Sequence, residues 1–299
     1  MKFVLTRTRQ ALAAGLLTLT PTLTGCLTHV RSVPKIRPAE IVYETTLDKL
    51  LQQVDERYQA IHTFNASIEL QATEGKGPQG KVIEHPAFSG YIFIRKPEDL
   101  RVLLRVPLLG SQALNLVSDG KKWTLWIPPR SVAMTGTSDQ PEASEHGLES
   151  LRPAVITDSL LIQGLGPEQI VSLTQDSRVL PDPKNKKDLI EEPDYEIAIL
   201  AQPVGKAERA IRVIHIGRST LLPYQQDIYA PDGAIVTRAF YSDYQKFGDI
   251  SYPMKIKIDR PRDQYSLTIT ILKLTLNQPM ENDQFEIKIP EGIPIKVMK

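Results

Sequence analysis

Residues 63–72 alternate with a period of two. Phe64, Ala66, Ile68, Leu70 and Ala72 are apolar, and Thr63, Asn65, Ser67, Glu69 and Gln71 between them are polar. Such a stretch is a β-strand with one face for a core and one for water. Met254, Ile256 and Ile258 alternate in the same way with Lys255, Lys257 and Asp259, and Tyr265, Leu267, Ile269 and Ile271 with Ser266, Thr268 and Thr270. Further strands read at 88–95, 99–106, 112–118 and 122–127, and then near 169–180, 194–201, 210–217, 222–230, 234–244 and 284–289. So many half-apolar strands need a cover for the apolar face: closure into a barrel, a second sheet, or helices.

Only two helices are available. Leu47, Leu50, Leu51, Val54, Tyr58 and Ile61 fall at helical spacing, with Thr45 and Asp48 forming a capping-box-like start. Residues 151–163 read as a short helix whose first turn accommodates Pro153. The economical solution is a mainly β, α+β domain: a strongly curved antiparallel half-barrel sheet with helices on its concave apolar face. The 41% apolar and 24% charged residues suit a globular chain of this size, and 23 prolines with few aromatics favour strands and loops over a bundle. The Ser/Thr/Glu/Gly-rich stretch 135–150 reads as a loop, and 181–194 as a solvated charged loop.

The N-terminus reads as an address. Lys2, Arg7 and Arg9 form a positive region and Ala11–Leu23 a short apolar one, followed by Leu23-Thr24-Gly25-Cys26. This run resembles the bacterial lipoprotein signal, which implies cleavage before Cys26 and acylation of that residue. Several acyl chains, at about 0.8 kcal/mol per buried CH₂, anchor a protein stably where one is marginal. Leu27, rather than an aspartate, follows the cysteine, which by the sorting rule of Gram-negative lipoproteins implies the periplasmic face of the outer membrane. The expected organisation is a signal peptide 1–25, a lipid-anchored tether 26–44 with Pro34 and Pro38, and one domain 45–299.

Composition and motifs narrow the chemistry. Thirty-six Lys+Arg against 35 Asp+Glu leave no basic excess for nucleic acid. One cysteine excludes a disulfide framework and a thiolate metal cluster. His29, His62, His85, His146 and His215 form neither an HExxH nor an HxH pair, and no GxSxG is present. Gly75–Gly80 matches GxGxxG in letters, but it opens no helix and contains Pro78, so it reads as a hairpin loop. The expectation is a non-enzymatic monomer without cofactor or metal.

The stretch 97–120, PEDLRVLLRVPLLGSQALNLVSDG, resembles the central hairpin of the LolA/LolB-like superfamily of periplasmic and outer-membrane lipoprotein carriers. Its turn is Pro107-Leu108-Leu109-Gly110. Residues 151–165 match the position of the family's inner helix, and Tyr252-Pro253 with LKLTLNQPMENDQFEIKIPEG match its closing strands. The resemblance covers about 45–290 and is nearest to the outer-membrane receptor LolB. The turn differs in having two leucines.

The resemblance implies that acyl chains of lipoproteins, or another lipid, occupy an apolar cavity in a protein serving lipoprotein localisation or lipid transfer. A periplasmic carrier protein is a further partner. Candidate cavity residues are Ile68, Leu70, Phe93, Leu103, Leu114, Leu116, Trp123, Leu161, Ile256, Ile258, Leu267 and Ile269, each of which can equally fill a solid core. Leu108 and Leu109 either fold onto the core or protrude to contact membrane or acyl chain. The alternative function is an envelope sensor or scaffold that binds a protein partner through the same fold.

The Cys26 assignment has a direct check. A Cys26→Ser chain should take up no fatty-acid analogue in cells, while the native chain is labelled; equal labelling of both would contradict it.

Overall fold

The computed structural model describes residues 33–76, 81–138, 151–166, 169–182, 184–204 and 207–298. Cys26, most of 135–150 and part of the GxGxxG match lie outside them. The described residues fall into two compact units, Pro38–Val179 with Glu191–Lys299, and Leu180–Ile190 with the described part of Met1–Arg37. In the smaller unit the Leu189 N–H donates to the Lys35 carbonyl at 2.8 Å, and Arg37 pairs with Asp182 at 2.7 Å.

In chain order the elements are β1 (Ile36–Pro38), α1 (Leu47–Gln59), β2 (Thr63–Lys76), β3 (Lys81–Glu84), β4 (Phe88–Arg95) and β5 (Asp99–Arg105). β6 (Gln112–Ser118), β7 (Lys122–Ile127), β8 (Val132–Thr137), α2 (Pro153–Leu160), β9 (Ile170–Pro181) and β10 (Leu189–Val204) follow. The last are β11 (Ala207–Gly217), β12 (Leu222–Tyr229), β13 (Ile235–Phe247), β14 (Ile250–Arg260), β15 (Tyr265–Leu276) and β16 (Ile295–Val297). The strands of the larger unit form one curved, open sheet of the expected class.

Within the larger unit the order is β10-β11-β12-β13-β14-β15-β2-β4-β5-β6-β7-β8-β16, with β3 added to β2. Two meanders, β4–β8 and β10–β15, are therefore joined through β2. β2 pairs with β15 from Phe64↔Leu276 to Glu74↔Tyr265, and with β4 on its other edge. The β8–β16 pair is parallel.

Local chemistry sets these elements. Thr46, one residue after the expected cap, accepts from the Lys49 N–H and starts α1. Pro153 occupies the first turn of α2. In the β6–β7 turn Gly120 takes φ +81° and Asp119 Oδ1 accepts from the Lys121 and Lys122 N–H groups at 2.9 and 2.6 Å. The burial of Asp119 is slight, and these backbone donors hold its carboxyl below the usual carboxylate range.

The period-two stripes meet on one face. Phe64, Ile68, Leu70, Ile92, Leu116, Ile256, Leu267 and Ile269 form a continuous core with Val155, Ile156 and Leu160 of α2. A second cluster packs Leu50 and Val54 of α1 on Tyr195, Ile197, Ile199, Ile214 and Ile216. Both helices cover the apolar face, as patterning requires.

Several boundaries differ from the sequence reading. Half of the charged 181–194 stretch is strand, since residue 181 ends β9 and residues 189–194 begin β10, and residues 135–137 complete β8. Residues 284–289 form no strand; a short 3₁₀ turn spans Asn282–Phe285. β1, β3 and β16 have three or four residues each, too few to display a period.

Gly90 offers a check on the β4–β5 register. A Cβ there would stand 2.2 Å from the Leu103 carbonyl oxygen and 2.9 Å from Leu104 Cδ2. Gly90→Ala should lower stability by about 1–3 kcal/mol, seen as a lower urea midpoint. An unchanged midpoint would contradict the close approach.

Candidate functional site

The β5–β6 hairpin ends in the turn 106–111. Val106 donates its N–H to the Ser111 carbonyl at 2.8 Å, and Gly110 donates to the Val106 carbonyl at 3.0 Å. The Leu109 N–H donates to the Pro107 carbonyl at 2.7 Å, closing a three-residue turn around Leu108. Leu108 takes φ +64°, a left-handed conformation that costs a branched L-residue about 1–2 kcal/mol. Gly110, at φ +66°, adopts the same region without that cost.

Both leucines protrude. Leu108 is 107% exposed and Leu109 79%. Each leaves unrealised roughly 1.5–3 kcal/mol of burial. A strained backbone that holds two leucines in solvent is an outlier of the kind found at contact sites.

An apolar cavity of about 290 Å³ lies at the base of this hairpin. Val106, directly before the turn, and Ala113, shortly after it, form part of its wall. Leu70, Leu104, Leu114 and Leu267 from the helix-covered face, with Phe88, Ile127, Pro129 and Leu151, line the rest. His85 and Arg130 are its polar members. The volume is just under the ~300 Å³ at which small-molecule sites begin, and the composition is that of such sites: apolar walls with few polar groups.

The expected lining residues separate into four groups. Leu70, Leu114 and Leu267 line this cavity. Leu161 lines a smaller one of about 50 Å³ beside α1. Ile68, Leu116, Trp123, Ile256, Ile258 and Ile269 are buried in solid core. Phe93 and Leu103 are corrected: both are half-buried on the outer face, because the register turns Ile92, Ile94, Val102 and Leu104 inward. In β4 the outer side carries Tyr91 and Phe93, which blurs the alternation; in β5 Asp99, Arg101 and Arg105 share the side of Leu103, so the sequence itself marked that side as outer. Nine of the twelve wall residues were missed, and two of these, Val106 and Ala113, flank the turn that the sequence had singled out.

Among the described residues no catalytic grouping is assembled around the cavity. His215 lies elsewhere, with Nδ1 3.1 Å from Glu196 Oε1 and Nε2 3.7 Å from Asp227 Oδ2. Burial opposes the Asp227 charge, yet the nearby His215 ring and the two hydrogen bonds that Arg238 donates at 2.8 and 3.1 Å prevail and hold its carboxyl below the usual range. Among the described residues no cluster of His, Cys, Asp and Glu could hold a metal ion, and no helix is long and apolar enough to cross a membrane.

No family model and no curated protein matches this sequence. Solved structures do match its fold. A LolA superfamily protein from Nitrosomonas europaea superposes with a TM-score of 0.50 at 12% identity, covering 82% of this chain and 99% of that one. A DUF1329 family protein from Desulfovibrio piger matches at 0.47 and 15% identity, over 80% of this chain and 95% of that one. An outer membrane lipoprotein-sorting protein domain from Vibrio parahaemolyticus matches at 0.44 and 11%, over 80% and 94%. The chain thus has the LolA/LolB-like fold, in a sequence far diverged from these neighbours.

The exposed turn separates from the core in its response to truncation. Leu108→Gly relieves the left-handed strain and gives up no burial, while the added backbone freedom of the unfolded chain offsets part of the gain. Its urea midpoint should correspond to a change below about 1 kcal/mol. Leu104→Ala, 4% exposed in the native chain, should cost about 2–5 kcal/mol. A comparable loss in both variants would place Leu108 in a packed environment.

Proposed function

We propose that the protein is a lipid-anchored lipoprotein of the outer membrane, at its periplasmic face, that receives an acyl chain in the 290 Å³ cavity and delivers it to a membrane through Leu108 and Leu109. The observation that carries this reading is the contiguity of the two features: the apolar wall at Val106 continues within two residues into a fully exposed apolar tip. The acyl chain belongs to a lipoprotein or another lipid. Its removal from water drives entry, and no covalent step is needed.

The tip suits a bilayer. A protruding apolar turn needs no complementary groove when it enters hydrocarbon. Its N–H groups at Leu109 and Gly110 are already bonded to the Pro107 and Val106 carbonyls, so insertion leaves those donors satisfied. The LolA-like fold of the sheet agrees with a carrier, and the lipobox-like run at Cys26 with an anchored one.

The test is a Leu108→Glu/Leu109→Glu double variant. Both side chains are exposed in the native protein, so the melting temperature should stay within about 2 °C. Transfer of a lipidated cargo to liposomes should fall at least tenfold, since a carboxylate enters hydrocarbon only at several kcal/mol. An unchanged transfer rate, or a collapsed melting temperature, would refute the tip assignment.

A further inference from the structure

The 50 Å³ pocket beside α1 shares no lining residue with the larger cavity. One of its walls is Val54, Arg57 and Tyr58, an i, i+3, i+4 stripe of α1, with Ile61 just past the helix end. Arg57 thus occupies a position on the buried stripe where the pattern calls for an apolar side chain. The opposite wall comes from β13 and β14, with Tyr241, Tyr244 and Tyr252.

Most polar atoms here are paired. The Tyr252 hydroxyl donates to the Leu160 carbonyl at 2.8 Å, the Tyr244 hydroxyl to the Pro223 carbonyl at 2.6 Å, and Arg57 Nη2 to the Leu221 carbonyl at 3.0 Å. Two atoms differ. Arg57 Nη1 and the Tyr241 hydroxyl are buried and have no partner in the protein. Tyr241 is 5% exposed.

Burial lowers the Arg57 pKa against the weaker, raising influence of Tyr244 and Glu56, so its cation is poorly solvated. Burial pushes the Tyr241 hydroxyl well above its ordinary pKa, so it keeps its proton and can donate. Glu56 is exposed and accepts from Gln52 at 2.7 Å; it does not neutralise Arg57. Two unmatched donors, one cationic, belong to residues that line this largely apolar pocket. The chemistry that answers both is an anionic oxygen acceptor.

We propose that this pocket binds the carboxylate of an amphiphile, with its oxygens accepting from Arg57 Nη1 and the Tyr241 hydroxyl and its apolar tail lying over the half-buried rim formed by Ile162 and Ile250. The volume admits the head group and not a long chain, which puts the tail on the rim. The ligand class is a fatty-acid-like carboxylate, recognised by its charged head, whereas the larger cavity selects for apolar bulk.

Calorimetric titration of the purified protein with decanoate and with decanol tests this, because the two share a tail and differ in the head. Decanoate should bind at least tenfold more tightly than decanol. Arg57→Gln should abolish that preference, and Tyr241→Phe, which keeps the ring and its packing, should reduce decanoate affinity severalfold with the melting temperature retained. Leu114→Trp, which obstructs the larger cavity, should leave the preference intact. Equal affinity for the two probes overturns the proposal, as does a preference that survives Arg57→Gln. A preference lost in Leu114→Trp would place the carboxylate in the other cavity, and no binding of either probe at millimolar concentration would leave only water in the pocket; both results reject the site.

Discussion

The pairing of β2 with β15 holds the two halves of the sheet together. Each meander is built from neighbours in sequence, and its pairings are local. β2 and β15 are about two hundred residues apart, yet they align from Phe64↔Leu276 to Glu74↔Tyr265. On the inner face this sets Leu70 beside Ile269 and Ala72 beside Leu267, in the middle of the larger core. A slip of one residue would turn the apolar stripe of the displaced strand to solvent, so the register is fixed by burial rather than by a turn. The loop closure needed to bring these strands together is also the costliest in the fold.

The site depends on that centre. Leu70 and Leu267 come from the two central strands and form one wall of the 290 Å³ cavity, while β4–β6 supply Phe88, Leu104 and Leu114. Among the described residues the open sheet has two helices to cover it, and part of its apolar face near the β5–β6 hairpin stays open as the cavity. The same hairpin then carries two leucines past the edge of the core, with Leu108 held at a positive φ. The β5–β6 part of the cavity wall and the tip are consecutive stretches of one strand pair.

The sequence showed the strands well where one face was polar. β2, β14 and β15 alternate cleanly, and the ends read for β4, β6 and β7 match the observed ones. It failed where alternation is absent or too short. Phe93 lies in β4, where Tyr91 and Phe93 blur the polar side, whereas the outward side of Leu103 in β5 was legible from Asp99, Arg101 and Arg105 beside it. β3 and β16 have too few residues to display a period. The turn 107–110 was legible because proline, glycine and two leucines in succession are a local signal. The distinction between cavity wall and solid core was not: Leu114 and Leu116 are alike in sequence, yet only Leu114 faces empty volume.

The central claim is that an acyl chain occupies the cavity at the base of the hairpin. A photoreactive benzophenone side chain placed at Val106, on the cavity wall, and in a second protein at Leu103, on the outer face, tests this with a lipidated cargo as ligand. After irradiation, mass spectrometry should find an acyl adduct at position 106 and none at 103. Adducts of equal yield at both positions, or an adduct at 103 alone, would contradict the account.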